Sequence, residues 1–239
     1  MYVFRPTLYG FSRKKMSNST LKIIALVTMM IDHIGASLFP EQAIFRYIGR
    51  IAFPIYIFLL VEGYYKTRNV TKYILRLLIF AAISEIPFNL AFNGELLWFK
   101  HQNVFFTLAM GLTMIWCLDT IEKTDKSYKA ILQVLVAFAF MFAGQVLNVD
   151  YVSCGIAVIL IFYRFRSDDL KQELIKYVFA ALIFYLYYGP KEMTCIAAFP
   201  LIHFYNGKRG IKLKYAFYAF YPVHLICIWL VGKYLMNVL

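Results

Sequence analysis

Asp32 and His33 sit near the middle of the first long apolar run of the chain, LKIIALVTMMIDHIGASLF at 21–39. A carboxylate at the centre of a bilayer span costs roughly 2.5–3.5 kcal/mol even on the lenient insertion scale, so a span that keeps one usually uses it. A histidine, whose ordinary pKa is about 6.5, takes up or releases a proton at neutral pH and suits general-base work. Neighbouring residues on a helix point about 100° apart, so Asp32 is poorly placed to orient His33. Arg50 is the expected partner of Asp32, and Glu85 or a backbone carbonyl the expected anchor of the imidazole. Arg46 and Arg50 are four residues apart, as are Glu85 and Asn89, so each pair shares a helix face. Glu62 and His224 complete the set of ionisable groups inside apolar runs that warrant a role. Pro54, Pro87 and Pro222 fall within four residues of Arg50, Glu85 and His224, and each is expected to kink its span and free a carbonyl beside a cavity.

The elements that must position these groups follow from composition. Hydrophobic residues make up 62% of the 239, charged residues only 16%, and the mean hydropathy is +0.64. Apolar runs recur with short polar breaks, which describes an all-α polytopic bundle crossing a membrane. Runs long enough to cross about 30 Å of hydrocarbon fall near 21–38, 48–65, 73–92, 104–121, 130–147, 151–165, 174–188, 192–205 and 216–236. The sixth and eighth are short, so the expectation is about nine spans, within a range of eight to ten. Continuous apolar runs exclude a β-barrel, which would alternate residue by residue.

The net charge of +12 does not call for nucleic acid once its distribution is read. Arg46, Arg50, Lys100, Lys191 and Lys233 fall at one set of span ends, and the other 20 of the 25 Lys and Arg at the opposite set. That bias places the N-terminus in the cytoplasm. The basic stretch 1–20 reads as a retained cytoplasmic segment rather than a signal peptide, because the run after it is too long and ends without a small-residue cleavage site. Residues 21–239 read as one transmembrane domain without linker or repeat. Cys117, Cys154, Cys195 and Cys227 fall one per run with no paired spacing, which reads as buried thiols and implies no metal.

Four separated strings, MMIDHIG at 29–35, GRIAFPIYIFLLVEGYYKTRN at 49–69, YILRLLIFAAISEIPFNL at 73–90 and AFYPVHL at 219–225, resemble the TraX family of bacterial integral membrane proteins, in order and over most of the chain. That resemblance implies a membrane-embedded acyltransferase of the bacterial inner membrane. It would move an acetyl group from cytoplasmic acetyl-CoA to an amine or hydroxyl acceptor, a pilin N-terminus in the resembled family, or another envelope molecule. It also implies that His33 is the catalytic histidine and Asp32 its motif neighbour, with Arg50 and Glu62 in the second motif, Glu85 and Asn89 in the third, and His224 in the last. The chemistry needs a base for the acceptor proton, for which His33 is the candidate, and a donor for the developing oxyanion, for which Arg50 is. A channel for the pantetheine arm is expected, with Arg76 and Lys72 near the CoA phosphates. The alternative is a proton-coupled transporter or flippase binding an anionic solute at Arg50, although the chain lacks the inverted repeats expected of one.

Overall fold

The computed structural model describes residues 15–167, 169–212 and 214–236. Arg5, Arg13 and Lys14 of the basic N-terminal segment lie outside the described residues. Among those described the chain is helical: α1 Asn18–Leu38, α2 Ala43–Gly49, α3 Ala52–Lys66, α4 Val70–Asn93, α5 Val104–Glu122, α6 Lys129–Val146, α7 Val152–Arg164, α8 Leu170–Tyr188, α9 Ala198–His203 and α10 Lys214–Val231. A 3-10 segment, Pro190–Ala197, precedes α9. Among the described residues six helical stretches are long and apolar enough to cross a membrane: α1, Ala43–Lys66 (α2 with α3), α4, α5, α6 and Tyr215–Tyr234.

Local chemistry sets the ends. Ser17, Asn69, Asn103 and Asp169 each turn a side-chain oxygen onto a backbone N–H of the first turn of α1, α4, α5 and α8, satisfying donors that have no partner within a helix. Gly94 closes α4 in the left-handed region at φ 70°, where a residue without Cβ is at no disadvantage.

The expected second span is broken. Backbone turns at Arg50 and Ile51 separate α2 from α3. Pro54, in the first turn of α3, has no N–H for the Arg50 carbonyl four residues back, so the ladder cannot run through. Pro87 and Pro222, by contrast, are carried inside unbroken helices.

Residues 192–205, expected as an eighth span, form most of the 3-10 segment and α9 instead. Gly189 at φ 86° and Pro190 stop α8 and redirect the chain. The stretch still runs the length of the bundle. Glu192 is paired with Arg50 at one end, and Tyr205 is bridged to Met16, ahead of α1, at the other. About 2 Å of rise per 3-10 residue lets so short a segment reach.

α3 lies at the centre, with Ile55, Ile57, Phe58, Leu60 and Val61 all buried. Around it pack α1, α5 and α7, whose Leu112, Ile115, Ile156 and Ile159 are fully buried. α6 turns Ile131, Val134, Leu135, Phe138 and Phe142 outward, a stripe that suits lipid rather than water.

Candidate functional site

The site begins where α1 meets α2. Gly49 is buried against the Asp32 carboxylate so closely that a Cβ there would overlap it, and Gly35 lies the same way against Phe45. These two glycines let the helices approach until the arginines of the α2 face reach the acid. Arg46 Nη1 donates to Asp32 Oδ2 at 2.7 Å. Arg50 Nη2 donates to both Asp32 oxygens at 2.6 and 2.7 Å. The expected Asp32–Arg50 pair is therefore present, and Arg46 joins it.

Arg50 also reaches groups that the sequence did not single out. Its Nη1 donates to Glu192 Oε1 at 2.9 Å and to the Tyr151 hydroxyl at 3.1 Å. Asp32, Arg50 and Glu192 are 8%, 7% and 7% exposed, so two buried carboxylates are balanced by one buried and one half-buried arginine. Tyr151 sits at φ 59° and Val152 at φ 37°, left-handed conformations that cost about 1–3 kcal/mol each outside glycine. Stacking of Tyr151 on Phe53, ring centroids 4.0 Å apart, helps hold that turn. A short pairing of Gln102 with Val149 ties it to the loop before α5. In that loop His101 faces Asp150 at 3.5 Å, and the hydrogen bond to this carboxylate raises the His101 pKa above its ordinary value.

The imidazole anchor differs from expectation. His33 Nδ1 lies 2.8 Å from His224 Nε2, and His224 Nδ1 lies 2.9 Å from the Phe220 carbonyl. Glu85 is elsewhere, accepting from Asn103, the residue that caps α5. It lies on an α4 face turned toward the start of α5, whereas α10 packs between α1 and α4 and brings His224 across. For imidazoles in the neutral form, the contacts fix both tautomers. A carbonyl only accepts, so His224 Nδ1 carries the hydrogen and its Nε2 is an acceptor. His33 Nδ1 must then donate, which leaves the His33 Nε2 lone pair open.

His33, Asp32, Arg46 and Arg50 line a cavity of about 450 Å³, together with Tyr56, Trp98, His101, Asp150 and Tyr151. His224 is buried outside that lining. A second cavity of about 410 Å³ opens toward the other end of the bundle, lined by Lys22, Lys66, Arg76, Arg209 and Lys212. Met29, Tyr56 and Val104 line both cavities, so the two adjoin at these residues.

The remaining sequence candidates are dispersed. Glu62 is buried near the second cavity's end of α3, accepting from Arg166 and paired with Lys66. Asn89 donates to the Leu96 carbonyl at the end of α4. Arg76 lines the second cavity beside Tyr73 and Tyr218, but Lys72 is exposed and outside the lining. Of the cysteines, Cys154 and Cys195 are buried, Cys117 is half-buried and Cys227 exposed, so the expectation of four buried thiols fails for two. Glu192 and Tyr151 were missed. An acid at the outer end of an apolar run was the available signal for Glu192; nothing in the residues around Tyr151 marked it.

A helical bundle with six stretches fit to cross a membrane and a charged, histidine-bearing chamber between them is a polytopic membrane protein built around an internal site. Its family is shown by comparison. The model of the TraX protein family matches residues 17–232, and the chain belongs to that family. It is 32% identical over 232 residues to a protein named probable fimbrial assembly protein FimC, serogroup H1, of Dichelobacter nodosus, covering 86% of this chain and 91% of the relative. It is also 27% identical over 154 residues to an uncharacterized protein of Rickettsia prowazekii (strain Madrid E), covering 64% of this chain and 58% of that one. No solved structure matches the chain significantly.

Proposed function

We propose that this protein is a membrane-embedded acetyltransferase of the bacterial inner membrane, moving an acetyl group from cytoplasmic acetyl-CoA to an amine or hydroxyl acceptor at or across the membrane. The observation that carries the reading is the histidine pair, whose hydrogen bonds engage His33 through Nδ1 and leave the Nε2 lone pair of this cavity-lining residue open. A base fixed in that tautomer can take the acceptor's proton as the acceptor attacks the thioester carbonyl. When the C–S bond breaks, the same imidazolium can return the proton to the CoA sulfur. His224 is a positioning residue here, because its Nε2 holds His33 and it does not line the cavity.

The second cavity supports the donor's route. Five cations line it, all at span ends that the charge bias assigns to the cytoplasm, and they suit the phosphates of CoA. Arg76 is among them, as the sequence suggested, and Lys66, Arg209 and Lys212 take the place expected for Lys72. Arg50 suits the oxyanion less well than expected, since its two terminal nitrogens are committed to Asp32, Glu192 and Tyr151. The name of the Dichelobacter relative favours an acceptor connected with fimbrial assembly, such as a pilin N-terminus.

The test is label transfer. Purified protein in liposomes, given [14C]acetyl-CoA and the envelope fraction of cells lacking the gene, should move label into an envelope component. His33→Gln should lose about 10²–10⁴ of that rate. Counterflow of a solute across the liposome without any need for CoA would instead establish the transporter. Reporter fusions in the loops near residues 68, 125 and 210 should all read cytoplasmic; an outward reading at two of them removes the donor route.

A further inference from the structure

Met29, Tyr56 and Val104 line both cavities and mark the throat between them, and of these three Tyr56 alone carries a polar side chain. Its hydroxyl is inaccessible to solvent and finds no hydrogen-bond partner among the described residues. Leaving a buried hydroxyl unpaired is destabilising, so a substrate group that pairs with it is the physical reason to keep it. α3 passes both cavities: Phe53 lines the chamber of His33, Tyr56 lines both, and Leu60 and Gly63 line the cationic cavity. These positions recur at three- and four-residue spacing and so share one helix face.

We propose that the Tyr56 hydroxyl donates a hydrogen bond to the thioester carbonyl of acetyl-CoA and stabilises the oxyanion formed from it; this rests on the acetyl-transfer reading above. With the pantetheine arm in the cationic cavity and the acetyl group in the chamber of His33, the thioester lies in the throat. The acceptor nitrogen or oxygen forms its bond to the acyl carbon as its proton passes to His33 Nε2. The carbonyl electron pair moves onto oxygen, where Tyr56 Oη–H meets it. When the carbonyl reforms, the C–S bond breaks and the sulfur leaves with the proton from His33, so no further reactant is needed. Tyr56 assumes the part that Arg50, held by its ion pairs, is poorly free to play.

Tyr56→Phe removes only the hydroxyl. With acetyl-CoA and the envelope fraction, the saturated rate should fall about 10²–10³-fold, as for loss of one oxyanion donor, with little change in KM for acetyl-CoA. Thermal stability should hold or rise, because an unpaired buried hydroxyl is lost. A rate within tenfold of wild type, or a fall in rate matched by a fall in stability, overturns the assignment. A second measurement needs no acceptor: the 13C carbonyl resonance of bound [1-13C]acetyl-CoA should move downfield in the wild type and revert toward the free position in Tyr56→Phe. Identical shifts in the two proteins also overturn it. A wild-type protein that neither binds acetyl-CoA nor moves label defeats the acetyl-transfer reading and this inference together, whereas an active wild type with an unaffected Tyr56→Phe defeats this inference alone.

Discussion

Arg50→Met isolates the ion cluster, because it removes the charge and keeps much of the side chain's length. The Arg50 side chain makes four hydrogen bonds, two to Asp32, one to Glu192 and one to Tyr151. Asp32 retains Arg46 at 2.7 Å, but Arg50 is the salt-bridge partner of Glu192 among the described residues. With side-chain exposures of 8% for Arg50 and 9% for Glu192, the variant strands a buried carboxylate, and breaking a buried pair in this way costs about 3–5 kcal/mol. Glu192→Gln in the Arg50→Met background removes the stranded charge and should recover about 0.5–3 kcal/mol, the usual coupling between residues in contact. Arg50→Lys should fall between wild type and Arg50→Met, since an ammonium cannot span two carboxylates with a planar fork. Cys154 and Cys195 are buried beside the cluster's partners Tyr151 and Glu192, so their reaction with a thiol-selective fluorophore during heating reports unfolding, in a background where Cys117 and Cys227 are replaced by serine. If the double variant is no more stable than Arg50→Met alone, Glu192 is not stranded by loss of Arg50 and the account of the cluster fails.

His224→Ala should lower transfer less than His33→Gln does, because it frees the His33 tautomer without removing the base; equal losses in the label-transfer assay would make His224 a direct participant. Gly49→Ala places a Cβ on the Asp32 carboxylate and should destabilise by about 1–3 kcal/mol, as overpacking does, whereas Gly94→Ala at the end of α4, where a Cβ meets open space at φ 70°, should disturb stability but not transfer. His101 has its pKa raised by the hydrogen bond to Asp150, so its stabilising contribution is complete below the unfolded value of about 6.5 and is lost as pH rises through the folded one. Melting curves between pH 5.5 and 8.5, a range set around that about 6.5, should therefore show a decline that His101→Gln flattens; an unchanged profile would assign the decline to other groups.

The residues told most about solvent, element type and which side chains are out of place. Long apolar runs broken by short polar segments settle on helices because only helices satisfy their own backbone in hydrocarbon, and the runs carrying α1, α4, α5 and α6 appear close to where the composition put them. Asp32 and His33 were legible because charge inside such a run has few bland explanations, and the four-residue spacing of Arg46 and Arg50 already placed both on one face. Pro54 marked a disturbance, and its missing N–H became the break that leaves Arg50 in the turn between α2 and α3. Partnership across the chain was decided only by packing. His33 and His224 are 191 positions apart and Arg50 and Glu192 are 142 apart, distances over which no periodicity links one residue to another. Whether an imidazole meets Glu85 or His224 depends on which helix lies against α1 and on its rotation, and α10 won that place by packing between α1 and α4. The same holds for the throat: Tyr56 is one of 19 tyrosines in the sequence, and its place in the walls of both cavities, with a buried unpaired hydroxyl, is what sets it apart.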